Sequence, residues 1–236
     1  MASSKVFLNW SSGKDSSLSL HYLHQSKQYE VAALFTTLCR KNRRIGLHGI
    51  SETLLDAQFE SLKLPAHKCY LPEEPNMEQY NSLMRQALLN FQAEGINCAA
   101  YGDIFLEDLK AYREEQLKKV AMHGVFPLWG KDSKEILEDF IQQGFKAIVV
   151  SASAKFFTDK FLGTELDQDF ISKLPKEVDP CGENGEFHTF CYDGPIFEQA
   201  VRFKKGKKVL RHYPNPDGEG DLGFHFLDLE VAEWMV

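Results

Sequence analysis

Val6-Phe7-Leu8-Asn9-Trp10-Ser11-Ser12-Gly13-Lys14-Asp15-Ser16 decides the fold: an apolar strand runs into a turn of small residues, and the turn opens a helix carrying Leu18, Leu20 and Leu23. A loop that grips phosphate needs small residues, so that backbone N–H groups can approach the oxygens, and a helix start adds an aligned dipole. Ser11, Ser12 and Gly13 supply the small residues. Lys14 adds a point charge, Ser16 a hydroxyl, and Asp15 a carboxylate able to cap the helix or hold Mg²⁺.

The loop is not a Walker A motif, because Leu8 stands where its first glycine belongs and Asp15 where Ser or Thr must follow the lysine. It resembles the SxGKDS loop of the N-type ATP pyrophosphatases, which split ATP between the α and β phosphates. That resemblance implies ATP at Ser11, Ser12, Gly13, Lys14, Asp15 and Ser16; from the chemistry of the residues, Asp15 or Asp103 is the candidate to hold Mg²⁺.

The alternation continues outward. Glu30 to Phe35 reads as a second strand ending at Thr36-Thr37, and Ile50, Leu54, Leu55, Phe59 and Leu62 share one helical face. His67 to Leu71 fits a third strand. Tyr80, Leu83, Met84, Ala87, Leu88 and Phe91 recur at helical spacing until Gly95, and Asn97 to Tyr101 is a strand closed by Gly102-Asp103. Strands alternating with helices predict an open parallel α/β sheet, whose ligands collect at the carboxyl ends of the strands. Thr36, Gly102 and Asp103 then join the loop around one crevice.

A helix is expected over Leu109 to His123, and Phe126-Pro127-Leu128-Trp129-Gly130 marks a junction. The expected division is 1–126 for a nucleotide-binding domain and 127–236 for a smaller α+β domain. The latter begins with a helix carrying Ile136, Leu137, Phe140 and Ile141, then the strand Ala147 to Ser151. After an irregular stretch come short antiparallel strands at Phe187–Tyr192, Ala200–Phe203, Lys208–Leu210 and Phe224–Val231.

At 236 residues with 43% hydrophobic content the chain can bury real cores, and a net charge of −7 argues against holding nucleic acid by bulk charge. No window of about 18 apolar residues occurs and no apolar leader opens the chain, so no membrane is expected and the cytoplasm is the default. Five cysteines without a CxxC pair predict free thiols, and a Cys181, His188, Cys191 zinc set matches no common spacing. Gly218 to Gly223 satisfies GxGxxG with no strand before it. Asp217, Glu219 and Asp221 lack the glycine of a calcium loop, so a solvated hairpin turn fits both. Arg40, Lys41, Arg43 and Arg44, and Lys204 to Lys208, read as solvated clusters, with His48-Gly49 on the rim of the first.

Asp179-Pro180-Cys181-Gly182-Glu183-Asn184-Gly185-Glu186-Phe187-His188-Thr189-Phe190 shapes either a site or a polar hairpin entry. Together with the first loop, Gly102-Asp103-Ile104 and Phe161-Leu162-Gly163, this run resembles the diphthine ammonia ligase family over nearly the whole chain. The resemblance implies an adenine nucleotide alpha hydrolase-like (HUP) fold. It implies ATP-dependent adenylation of a substrate carboxylate and attack by ammonia, as on the diphthine of elongation factor 2. Glu183, Gly185, Glu186, His188 and Thr189 fall on its substrate side. Lys14, Asp15, Asp103 and Glu186 are its candidate catalytic residues, and Arg113 is a further candidate from position. Two departures stand out: Ser12 replaces a glycine frequent in the loop, and His188 replaces an acid of the eukaryotic ligases. No ammonia-releasing domain is appended within 236 residues, so ammonia is expected from solution or a partner, and a homo-oligomer is compatible with the sequence. Two alternatives stay open: an RNA-modifying enzyme of the same superfamily, or a nucleotide sensor without turnover.

Overall fold

The computed structural model describes residues 3–214, 218 and 220–232. Five strands form a parallel sheet: β1 (Ser4–Asn9), β2 (Tyr29–Cys39), β3 (Ala66–Leu71), β4 (Cys98–Ala100) and β5 (His123–Val125), in the order β3-β2-β1-β4-β5. The chain leaves β1 toward β2 on one side and returns to its other side at β4. The carboxyl ends of β1 and β4 therefore bound a topological switch point, where an open α/β sheet parts to receive a ligand.

Alternation along the strands makes two cores. Val6 and Leu8 of β1 and Leu34 of β2 face one side, with Leu18 and Leu20 of α1 (Lys14–Gln25) and Leu54 and Leu55 of α2 (Glu52–Leu62). Phe7, Ala33 and Phe35 face the other, with Leu88 and Phe91 of α3 (Met77–Ala93) and Leu117 of α4 (Glu107–Lys118). A sheet buried on both faces is what a continuous apolar β1 requires. Local signals start the helices: the Ser51 side chain caps α2, and Asn76 and Gln79 form a reciprocal capping box on α3.

The second half holds α5 (Ser133–Gln142) and an antiparallel sheet in the order β7-β6-β9-β8. Its strands are β6 (Lys146–Ser153), β7 (Phe187–Asp193), β8 (Phe203–Pro214) and β9 (Asp221–Val231), with the short α6 (Gln168–Lys173) between β6 and β7. The first core continues into this half through Phe140, Ile148, Phe187 and Phe190, so one hydrophobic cluster underlies both sheets.

Four sequence expectations are corrected. β2 continues past Thr36-Thr37 to Cys39, because β3 pairs with it as far as Leu71. The helix expected over Leu109 to His123 stops at Lys118, Ala121 takes a left-handed φ of 52°, and the chain re-enters the sheet as β5. Ala200 to Arg202 is not strand; β8 begins at Phe203. The Lys208–Leu210 strand is part of the twelve-residue β8, which pairs with β9 along its length. Pro214 lies opposite Asp221 in that hairpin, while Asp217 and Glu219 lie outside the described residues. Among the described residues no helix is long and apolar enough to cross a membrane.

Candidate active site

A cavity of about 370 Å³ opens at the carboxyl ends of β1, β2 and β4, within the range of about 300–1,000 Å³ usual for ligand sites. Ser11, Lys14, Asp15, Ser16, Thr36, Gly102 and Asp103 line it from the first sheet. Glu183, Gly185, His188 and Thr189 line it from the second. Residues far apart in sequence thus line one cavity.

Ser12 and Gly13 form the back of the loop. Ser12 is fully buried with φ 70°, a conformation that costs a non-glycine residue about 1–2 kcal/mol. Its carbonyl accepts from the Cys191 N–H at 2.9 Å and from Gln58 Nε2 at 3.1 Å. Gly13 caps α1 without a side-chain hydrogen bond, leaving the helix start dependent on other acceptors. One acceptor is Thr189 Oγ1, which takes the Lys14 N–H at 3.0 Å. The Gly102 backbone packs so closely on Asp15 that a Cβ there would lie 3.1 Å from the Asp15 carbonyl carbon, so a close approach requires this glycine. Gly182 is held more strictly still, at φ 69° with the Phe187 carbonyl oxygen 2.7 Å from where a Cβ would stand.

Lys14 is 3% exposed; its Nζ donates to both Asp15 oxygens at 2.8 Å and to the Cys181 carbonyl. Burial is the largest single influence and opposes its charge, but Asp15, Cys181 and Glu183 together outweigh burial and hold the ammonium above the usual lysine range. Asp103 Oδ1 accepts from Arg113 Nη2 at 3.1 Å; burial lifts its carboxyl, with Arg113 opposing. Glu183 Oε1 accepts the Ile104 N–H at 2.8 Å, and burial pushes this carboxyl up to about 7. His48 and His188 lie with ring centroids 4.6 Å apart. Burial lowers both, His48 to about 4 and His188 well below its ordinary value, so both imidazoles are neutral. The His188 Nε2 is buried without a partner.

Glu186 is placed differently from the other candidates. It does not line the cavity: its Oε1 accepts the Asp179 N–H at 3.0 Å and Asn184 Nδ2 at 3.1 Å, bracing the 179–187 loop from behind. The Thr36 hydroxyl donates to the Trp10 carbonyl at 2.7 Å. Cys181 Sγ points to the Ser133 carbonyl and Cys191 Sγ to that of Asp193. Among the described residues no three His, Cys, Asp or Glu side chains converge as metal ligands. The first basic cluster is largely paired on the surface, Lys41 with Glu73, Arg43 with Glu52 and Arg44 with Asp228.

Sequence reasoning passed over Asn9, Tyr80, Met84 and Tyr101, which also line the cavity. Tyr80 and Met84 lie on the α3 stripe, which reads as core. Gln58 gave no signal at all.

The residues present suit a nucleoside triphosphate: a helix start that its own N-cap residue Gly13 leaves without a side-chain cap, a buried lysine, and hydroxyls at Ser11 and Ser16 lie together beside the cavity.

Two family models match the chain: the diphthamide synthase N-terminal domain over residues 4–124 and the diphthamide synthase C-terminal domain over residues 132–213. Among curated proteins, the chain is similar to a diphthine–ammonia ligase of Schizosaccharomyces pombe, 28% identical over 81% of this chain and 30% of that protein. It is also similar to ligases of the same name from Bos taurus and Homo sapiens, 29% and 28% identical over 68% of this chain and 60% of each. The matched region is thus less than two thirds of the length of these relatives. On both family models, the chain belongs to the diphthamide synthase family.

Proposed function

We propose that the chain is an ATP-dependent ligase that converts a substrate carboxylate to an amide with ammonia, the carboxylate being that of a diphthine-bearing protein. The observation that carries this reading is the meeting in one cavity of the Ser11 to Ser16 loop with the Glu183 to Thr189 strand entry. The names of the relatives agree with it. In the same proposal, residues 1–126 bind the nucleotide and 127–236 supply the substrate wall.

ATP supplies a leaving group: transfer of AMP to a carboxylate oxygen, with release of pyrophosphate, turns a poor leaving group into a good one. Lys14 neutralises charge gathering on the departing pyrophosphate, and the α1 dipole adds to it. Ser11 and Ser16 offer hydroxyl hydrogen bonds to the phosphates. Asp15 is the residue assigned to Mg²⁺. Arg113, held by Asp103, stands at the cavity wall as a second cation. On the opposite wall Glu183 faces the cationic end of the substrate, which it attracts once ionised. His188 and His48, being uncharged, accept N–H hydrogen bonds without repelling an amine. Glu186 acts through the loop it braces.

The test is formation of AMP and pyrophosphate from ATP, Mg²⁺ and ammonium in the presence of diphthine-bearing elongation factor 2, with mass analysis of the factor. Amidated factor with AMP in equal amount is the expected result. ATP bound without AMP formation under any of these conditions would replace the reading with that of a nucleotide sensor.

A further inference from the structure

Gln58 lies on α2, is completely buried, and touches no part of the cavity, yet it carries three hydrogen bonds that meet at the phosphate loop. Its Oε1 accepts Trp10 Nε1 at 3.0 Å, and its Nε2 donates to the Ser12 carbonyl at 3.1 Å and to the Cys191 carbonyl at 2.6 Å. The amide has only one consistent orientation. Indole N–H can only donate and the two carbonyls can only accept, so Trp10 fixes Oε1, the carbonyls fix Nε2, and all three agree on one orientation.

The loop residue at the centre of this network is the one with the unfavourable backbone. Ser12 holds φ 70°, where a glycine would sit without cost, and its own hydroxyl is buried without a partner. Nothing in its side chain favours that conformation. Its carbonyl, however, is gripped from two directions, by Gln58 Nε2 and by the Cys191 N–H of β7. Strained residues persist only where their surroundings over-determine them.

We infer that Gln58 is a positioning residue for nucleotide binding: its amide clamps the Ser12 carbonyl to β7, holding a serine in the glycine-like conformation that the phosphate loop needs. The inference rests on the nucleotide reading of that loop. It also makes β7 part of the nucleotide site, since Cys191 completes the clamp and Thr189 takes the next amide along. With a glycine at position 12 the clamp would become dispensable.

The test uses the full chain and ATP binding by calorimetry, with thermal unfolding measured in parallel. Wild type, Gln58→Met, Ser12→Gly and the double variant are compared; Gln58→Glu, which keeps the acceptor for Trp10 and sets an acidic oxygen against the two carbonyls in place of the donor, serves if Gln58→Met does not fold. The expected result is ATP affinity at least tenfold weaker for the Gln58 variant than for wild type, and affinity within about threefold of that of Ser12→Gly for the double variant, so that the Gln58 substitution costs little once position 12 is glycine. A purely structural role would lower the melting temperature and leave Ser12→Gly without any rescue of affinity, which overturns the inference. So does unchanged affinity in the Gln58 variant, or failure of both Gln58 variants to fold even with Ser12→Gly. Absence of ATP binding by wild type would instead overturn the nucleotide reading itself.

Discussion

Thr189 Oγ1 accepts the backbone N–H of Lys14 at 3.0 Å, a hydrogen bond between residues 175 positions apart. It joins the start of α1 to β7, and so joins the loop of one sheet to the motif of the other. Both groups are buried, so the bond has no water to fall back on. Together with the Cys191 to Ser12 bond, it ties the Ser11 to Ser16 loop to β7 at two points.

Thr189→Val keeps the shape of the side chain and removes the acceptor. An unsatisfied buried N–H costs about 1–3 kcal/mol, and for a chain of this size each kcal/mol lowers the melting temperature by about 2–4 °C. A fall of several degrees with weakened ATP binding is expected, and Thr189→Ser should remain close to wild type. Calorimetric unfolding and nucleotide titration of the pair of variants check this.

Lys14→Ala removes the buried cation next to Asp15. Loss of one such electrostatic contact costs about 10²–10³ in turnover, so AMP formation should fall by at least about a hundredfold while the far-ultraviolet circular dichroism is retained. Lys14→Arg should not restore it, because the larger guanidinium does not fit a side chain only 3% exposed. Turnover near wild type in Lys14→Ala would remove this residue from the chemistry.

Glu183 gives the stability of the free chain a pH slope. Its folded value is pushed up to about 7 from an ordinary value of 4.5. Between these values the folded chain holds a proton that the unfolded chain has lost, so stability falls as pH rises from about 4.5 through about 7. Glu183→Gln lacks this term. Its melting temperature relative to wild type should therefore increase from pH 5 to pH 8, and a constant difference across that range would show that Glu183 is not raised.

His48 and His188 act with the opposite sign. Both are held neutral by burial below the ordinary imidazole value of 6.5. As pH falls through 6.5 the unfolded chain takes up protons that the folded chain refuses, so stability is lost on the acid side. A His48→Gln/His188→Gln variant should show a shallower loss between pH 6.5 and pH 5, measured by denaturant unfolding.

The loop and the parallel sheet were legible because each rests on local pattern: apolar runs for β1 and β4, small residues before Lys14, and a 3.6-residue stripe for α3. β5 was not, since three residues after a charged helix carry no period of their own and become strand only by pairing with β4. β8 was read short because its lysines alternate with little apolar content; it is exposed along most of its length and depends on β9 for its form. At the site, motif residues could be named from sequence, but their partners could not. Gln58 and His48 matter through contacts made across 46 and 141 positions, which no local spacing encodes. Glu186 shows the converse, a motif residue whose carboxylate turns back to brace its own loop.

The most direct test of the central claim follows oxygen from the carboxylate substrate. With ¹⁸O in the carboxylate of diphthine-bearing elongation factor 2, ammonium, ATP and Mg²⁺, one ¹⁸O atom is expected in the AMP released and none in pyrophosphate. Product amide formed with unlabelled AMP, or with ¹⁸O in inorganic phosphate and ADP as the other product, would contradict it.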